Sequence, residues 1–91
     1  MNTSYKAWHI LLEDEEDALY IKEQLQSGES FQSLAREYSE CESGAKGGDL
    51  GRFSSGVMDA AFERALYHLE VGEISAPVRT KYGYHIIKRV E

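Results

Sequence analysis

Two histidines stand in the two most strand-like stretches of this chain. His9 lies in Ala-Trp-His-Ile-Leu-Leu, residues 7–12, and His85 in Tyr-Gly-Tyr-His-Ile-Ile, residues 82–87. Imidazole is the side chain whose unperturbed protonation changes near neutral pH, so such a pair could catalyse directly, ligate a metal, or tie strands together. The single cysteine, Cys41, lies in residues 39–56, a stretch holding five of the eight glycines. Its thiol could be a nucleophile if its pKa were lowered, or a small packing residue. Met58 and Phe62 are four residues apart, one helical turn, and Leu50 follows Gly-Gly-Asp; such apolar residues pack a core or line a pocket. Residues 44–51, Gly-Ala-Lys-Gly-Gly-Asp-Leu-Gly, have the glycines of a phosphate loop without its Gly-Lys-Ser/Thr ending or a following helix, so phosphate binding is not expected. His9, His85 and Cys41 are legitimate zinc ligand types, but no ligand-spacing motif joins them, and no metal is expected.

The elements that position these groups follow from the pattern. Residues 7–13 read as a strand. Asp14 caps a first helix whose opening turn carries Glu15, Glu16 and Asp17, with Ala18, Ile21 and Leu25 at helical spacing and Gly28 at its end. Ser30 caps a second helix with Phe31, Leu34, Ala35 and Tyr38 on one face. Residues 39–56 read as a loop around a short strand at 50–54. Asp59 caps a third helix, with Met58, Phe62, Ala65, Leu66 and Leu69 inward and Gly72 ending it; His68 falls on its outer face. Residues 73–78 and 82–90 read as two further strands joined by a turn. Strands and helices mix without βαβ alternation, which predicts an α+β fold. Residues 1–5 read as a short polar tail, and residues 6–91 as one domain, the size that 91 residues allow.

Charge narrows the partners. The net charge is −6, with an unbroken acidic run from Glu13 to Asp17. Nucleic-acid binders carry a basic excess or stripe, so neither nucleic acid nor an anionic membrane is an expected partner. No apolar run approaches the ~20 residues of a membrane helix. No signal peptide is visible. One cysteine permits no internal disulfide. A cytoplasmic monomer is the simplest expectation; a domain excised from an exported protein would look the same.

Taken together, Ala-Trp-His-Ile-Leu-Leu-Glu, the stretch from Gly28 to Phe53 and the stretch from Ser55 to Lys88 resemble the parvulin family of peptidyl-prolyl cis/trans isomerases, in motif order and spacing, over residues 6–90. The resemblance implies a four-stranded antiparallel sheet flanked by about four helices, with the first and last strands adjacent at its centre. It implies that His9 and His85 are the family's twin histidines, that Cys41 takes its Cys-or-Asp position, and that Thr80 hydrogen-bonds the pair. It implies a proline pocket of Leu50, Met58 and Phe62, with Tyr82 at an aromatic position beside it. Glu42-Ser43 after Cys41 and Asp59-Ala60 after Met58 depart from the usual Pro-Ser and Val-Pro.

What the resemblance implies about activity is rotation of X-Pro bonds in unfolded or flexible protein segments. The unaided barrier is near ~20 kcal/mol, and a thousandfold acceleration needs only ~4 kcal/mol of preferential binding to the twisted amide. Two mechanisms are open: attack by Cys41 on the carbonyl, or a hydrogen-bond network of Cys41, His9, His85 and Thr80 shaping the electrostatics around it. The second is expected, since rotation needs no nucleophile and the family tolerates Asp at the Cys41 position. No cofactor is expected. Phospho-selective parvulins carry a basic cluster after the first strand; the acidic run here predicts no phosphate requirement. Lys46, Arg52, Arg79 and Lys81 are expected nearer the groove. The alternative is a proline-peptide-binding chaperone module of a larger foldase with little turnover.

Overall fold

The computed structural model describes residues 4–91. Its elements run β1 (Ser4–Leu12), α1 (Glu15–Gln26), α2 (Phe31–Tyr38), a 3₁₀ helix (Glu42–Lys46), β2 (Asp49–Ser54), α3 (Ala60–Tyr67), β3 (Val78–Thr80) and β4 (Gly83–Arg89). The strands form one antiparallel sheet in the order β2-β1-β4-β3. This is the α+β architecture expected, with the first and last strands paired at the centre.

The helices cover both faces of that sheet. Ile10, Leu12 and Ile86 point to one side and pack with Ala18 and Ile21 of α1 and Phe31, Leu34 and Ala35 of α2. Ala7 and Ile87 point to the other and pack with Phe53, with Phe62 and Leu66 of α3, and with Leu69 beyond it. A strand covered on both faces reads as a continuous apolar run. That is why Ile10-Leu11-Leu12 and Ile86-Ile87 lack the polar alternation of a half-exposed strand.

Caps set the helix starts. The Asp14 side chain accepts from Asp17 N, Ser30 from Ser33 N, and Asp59 from Ala61 N, each satisfying a first-turn N–H that has no partner within the helix. With Asp59 as cap, Met58 lies before α3 and not on its inner face. α3 is also shorter than expected: it ends at Tyr67, and turns through residues 68–73 follow, so Gly72 does not close it.

Two further expectations change. The polar tail is shorter than residues 1–5, because Ser4 and Tyr5 pair with Ser54 and Phe53 as the start of β1; residues 1–3 lie outside the described residues. The strand read at 73–78 is broken. Ile74 bridges Lys88 and Ser75 N donates to Ile87 O, but regular pairing resumes only at Val78 opposite His85. Four steps along this segment match three along β4, and the extra residue falls at Ala76-Pro77, where proline has no N–H for the ladder.

Candidate active site

β1 and β4 set the centre. His9 lies opposite Ile87 and Leu11 opposite His85, so the two histidines are diagonal neighbours on the α3 face. Both are buried, 5% exposed each. Their Nδ1 atoms are 2.9 Å apart, and the rings stack at 21° with centroids 5.1 Å apart. The outer nitrogens are engaged too. His9 Nε2 is 3.0 Å from Ser43 Oγ, and His85 Nε2 is 2.7 Å from Thr80 Oγ1.

This chain of bonds favours one proton order over its reverse. Between two neutral imidazoles one Nδ1 donates and the other accepts. Thr80 Oγ1 already accepts from Tyr82 N, at 3.2 Å, so its own proton is best used toward His85 Nε2. His85 Nδ1–H then donates to His9 Nδ1, and His9 Nε2–H donates to Ser43 Oγ. In the reverse order the Thr80 hydroxyl proton has no partner within the protein and turns to solvent at this part-buried site. Burial pushes His9 down from 6.5 to about 4, helped by the neighbouring His85. Burial likewise lowers His85 to about 4, while the Asp59 carboxylate works in the opposite direction. The pair is neutral at physiological pH, and all four ring nitrogens are taken. Among the described residues no group of three or more His, Cys, Asp or Glu is placed to hold a metal ion.

The glycine-rich segment delivers Ser43 and Cys41 by taking over the β1 edge where β2 leaves it. Ser39 Oγ accepts from Leu11 N, Glu40 N donates to Leu11 O, and His9 N donates to Gly48 O. Gly48 is required at this contact: its φ is +87°, and a Cβ there would stand 2.4 Å from His9 O. Cys41 is half-buried at the start of the 3₁₀ helix. Its thiol makes no hydrogen bond among the described residues. The expected network therefore runs through Ser43 instead of Cys41, and with both outer nitrogens occupied neither imidazole is poised to deprotonate the thiol.

Above the pair is an apolar hollow of about 230 Å³, walled by Leu50, Met58, Phe62, Leu11 and Tyr82, with Cys41 and Asp59 on its margin and the histidines at its base. The Phe62 ring stands nearly perpendicular to both imidazoles, at 5.8 Å and 76° for His9 and 5.4 Å and 83° for His85. Drug-sized sites run from roughly 300 Å³ upward, so this one suits a single small ring. Tyr82 is 65% exposed and stands at the rim, with Lys81 Nζ 5.2 Å from its ring centroid. Seven of the eight residues singled out in the sequence thus line one hollow, and the eighth, Thr80, bonds His85 at its base. Of the basic residues expected nearer the groove, Lys46, Arg52, Arg79 and Lys81, none lines the hollow, but Lys81 stands over Tyr82 at its rim; the one acidic member of the lining is Asp59. A larger hollow of about 290 Å³ lies beside α1, lined by Glu13, Asp17, Tyr20, Tyr38 and Glu40. It has no histidine or thiol and lies away from the paired imidazoles.

Two contributors escaped the sequence reading. Ser43 was visible only as a residue two after Cys41. Glu63, 5% exposed, follows Phe62 in α3, and its carboxylate accepts from Gly56 N and Met58 N. A lone acid in a helix carries no signal of burial; the only clue was its adjacency to Phe62.

Comparison with known proteins agrees with this geometry. Residues 11–91 match the Rotamase model, described as a PPIC-type PPIase domain. The chain is 49% identical over 87 residues to the foldase protein PrsA of Bacillus subtilis, a match that covers 94% of this chain and 30% of the relative. The crystal structure of the peptidylprolyl isomerase PrsA from Bacillus anthracis superposes with a TM-score of 0.95 at 49% identity, covering 97% of this chain and 41% of that one. The solution structure of NmPin, the parvulin of Nitrosopumilus maritimus, does so at 0.86 and 46% identity, covering 100% and 98%. The chain therefore spans about 30% of the length of the curated relatives it matches, and nearly all of a small one. A buried imidazole pair under a one-ring apolar hollow, with a family match over residues 11–91, makes this chain a member of the parvulin, or PPIC-type rotamase, family of peptidyl-prolyl cis/trans isomerases.

Proposed function

We propose that the chain catalyses cis/trans isomerisation of X-Pro bonds in unfolded or flexible protein segments, without a cofactor and without a phosphate requirement. Leu50, Met58 and Phe62 hold the proline ring, with Tyr82 closing one side of the rim. The acyl side of the bond then turns past Cys41 over the neutral pair of His9 and His85, which Thr80 and Ser43 hold in register. The observation that carries this reading is the apolar hollow standing directly on two neutral, hydrogen-bonded imidazoles. The planar amide has the larger charge separation, so a dry wall favours the twisted form. Met58 adapts to the ring as it moves. Cys41 acts as a wall and polarising group, not as a nucleophile, since no base is poised against its thiol.

The partners proposed are proline-containing peptides and unfolded chains. A net charge of −6 and the acidic run near α1 argue against nucleic acid, anionic membranes and phosphorylated sites. No helix among the described residues is long and apolar enough to cross a membrane. The proposed unit is one domain over residues 6–91, with Ser4 and Tyr5 extending its first strand, acting as a monomer. The cytoplasmic location expected from the sequence finds no support in the comparisons. The share of about 30% of the curated foldases favours the other context, a catalytic domain of a longer foldase.

Exchange spectroscopy by NMR on an Ala-Xaa-Pro-Phe peptide tests the reading. Sub-stoichiometric protein should accelerate cis/trans exchange at least a hundredfold. Binding shifts with unaltered exchange would instead identify a proline-peptide-binding module.

A further inference from the structure

Glu63 is a buried acid with no part in the chemistry just described. Carboxylates so buried are found when paired, yet no lysine or arginine forms an ion pair with it among the described residues. Its partners are donors of another kind. Gly56 N donates to Oε1 and Oε2 at 2.8 and 2.9 Å, Met58 N donates to Oε2 at 2.8 Å, and the Tyr67 hydroxyl donates to Oε1. The Tyr67 oxygen is in turn 2.7 Å from Ser55 Oγ, which can donate to it. The Tyr67 and Gly56 bonds hold the carboxyl below its ordinary range, against the effect of burial.

The placement matters more than the charge. Glu63 follows Phe62 directly in α3, and its carboxylate closes on the amide of Met58. The segment it grips is otherwise exposed, Val57 by 66%, and contributes only Met58 to a hydrophobic cluster. One side chain thus joins the helix that bears one wall of the hollow to the backbone that bears another.

We infer that Glu63 is a positioning residue for isomerisation: by bridging the Gly56 and Met58 amides it fixes Met58 against Phe62 before the proline ring arrives. The inference rests on the isomerase reading above. Holding the loop in advance removes an ordering cost from substrate binding, so its loss belongs mainly in KM.

Glu63→Gln keeps the shape but leaves one acceptor oxygen and turns an NH₂ toward donors. The variant should give a dispersed, folded spectrum, a tenfold or greater rise in KM, and kcat within threefold, read from NMR exchange rates across peptide concentrations. Tyr67→Phe leaves both backbone bonds and should keep KM within twofold. A folded Glu63→Gln with unchanged KM would overturn the inference. A second measurement needs no variant. In the wild-type protein the Gly56 and Met58 amides should be as protected from hydrogen exchange without peptide as with saturating peptide. Protection that develops only with peptide would overturn the inference even if Glu63→Gln failed to fold. Absence of turnover by the wild type would sink the isomerase reading itself, while amide protection in the free protein still reports on the clamp.

Discussion

Acid should weaken this fold through the histidine pair. The unfolded chain protonates each imidazole near 6.5, whereas the folded chain does so only near 4. Between those values the unfolded state holds more protons, so stability falls as pH drops through that window. At pH 5 the difference is worth about 2 kcal/mol for each imidazole, or about 4 kcal/mol for the pair treated as independent. For a domain of this size that is on the order of 15–30 °C in Tm. Glu63 is held below the ordinary carboxylate range, so its own loss of charge comes at lower pH than that of an ordinary glutamate. The assay is thermal unfolding from pH 7.5 to 4.5, alongside NMR titration of the imidazole carbons. The account expects ring resonances that stay neutral to about pH 5 while Tm falls. Imidazoles that titrate at or above 6.5 in the folded protein, or a Tm flat over that range, would refute the argument that burial keeps the pair neutral.

Other perturbations separate pocket, thiol and scaffold. Met58→Ala removes a half-buried side chain ahead of α3; kcat/KM should fall about tenfold, about 1.4 kcal/mol of lost transition-state binding, with a Tm shift of only a few degrees. Cys41→Asp should retain at least a tenth of wild-type exchange catalysis, and loss beyond a thousandfold would favour covalent attack. Gly48→Ala drives a Cβ to within 2.4 Å of His9 O at φ +87°; it should cost about 2–4 kcal/mol in denaturant unfolding, and a neutral result would mean the loop is free to move off β1.

The sequence made the strong local signals legible. Asp14, Ser30 and Asp59 each cap the helix they precede, because a capping oxygen acts within three residues of itself. The apolar runs around His9 and His85 marked the two central strands. What stayed hidden depended on contacts remote in the chain. Ser43 lies 34 residues from His9, and its role exists only because residues 39–48 replace β2 along β1. The break at Ala76-Pro77 was written in Pro77, but the strand-like residues around it outweighed one missing donor. Sequence proximity to site residues says nothing of direction: Lys81 stands over Tyr82 at the rim, whereas Arg79 lies over Tyr84 and Arg52 reaches Glu91. Gathering the eight site residues relied on the resemblance to a family, since Leu50, Met58 and Phe62 have the spacing of ordinary core.

The central claim is that the proline ring lodges between Leu50, Met58 and Phe62, above the paired imidazoles. Intermolecular nuclear Overhauser effects between a proline-labelled Ala-Xaa-Pro-Phe peptide and the methyl- and aromatic-labelled protein test it most directly. The account predicts contacts from the ring protons to the Met58 methyl, a Leu50 methyl and the Phe62 ring, under conditions where exchange is accelerated. Accelerated exchange with ring contacts only to Tyr20 and Tyr38, in the acidic hollow beside α1, would contradict it.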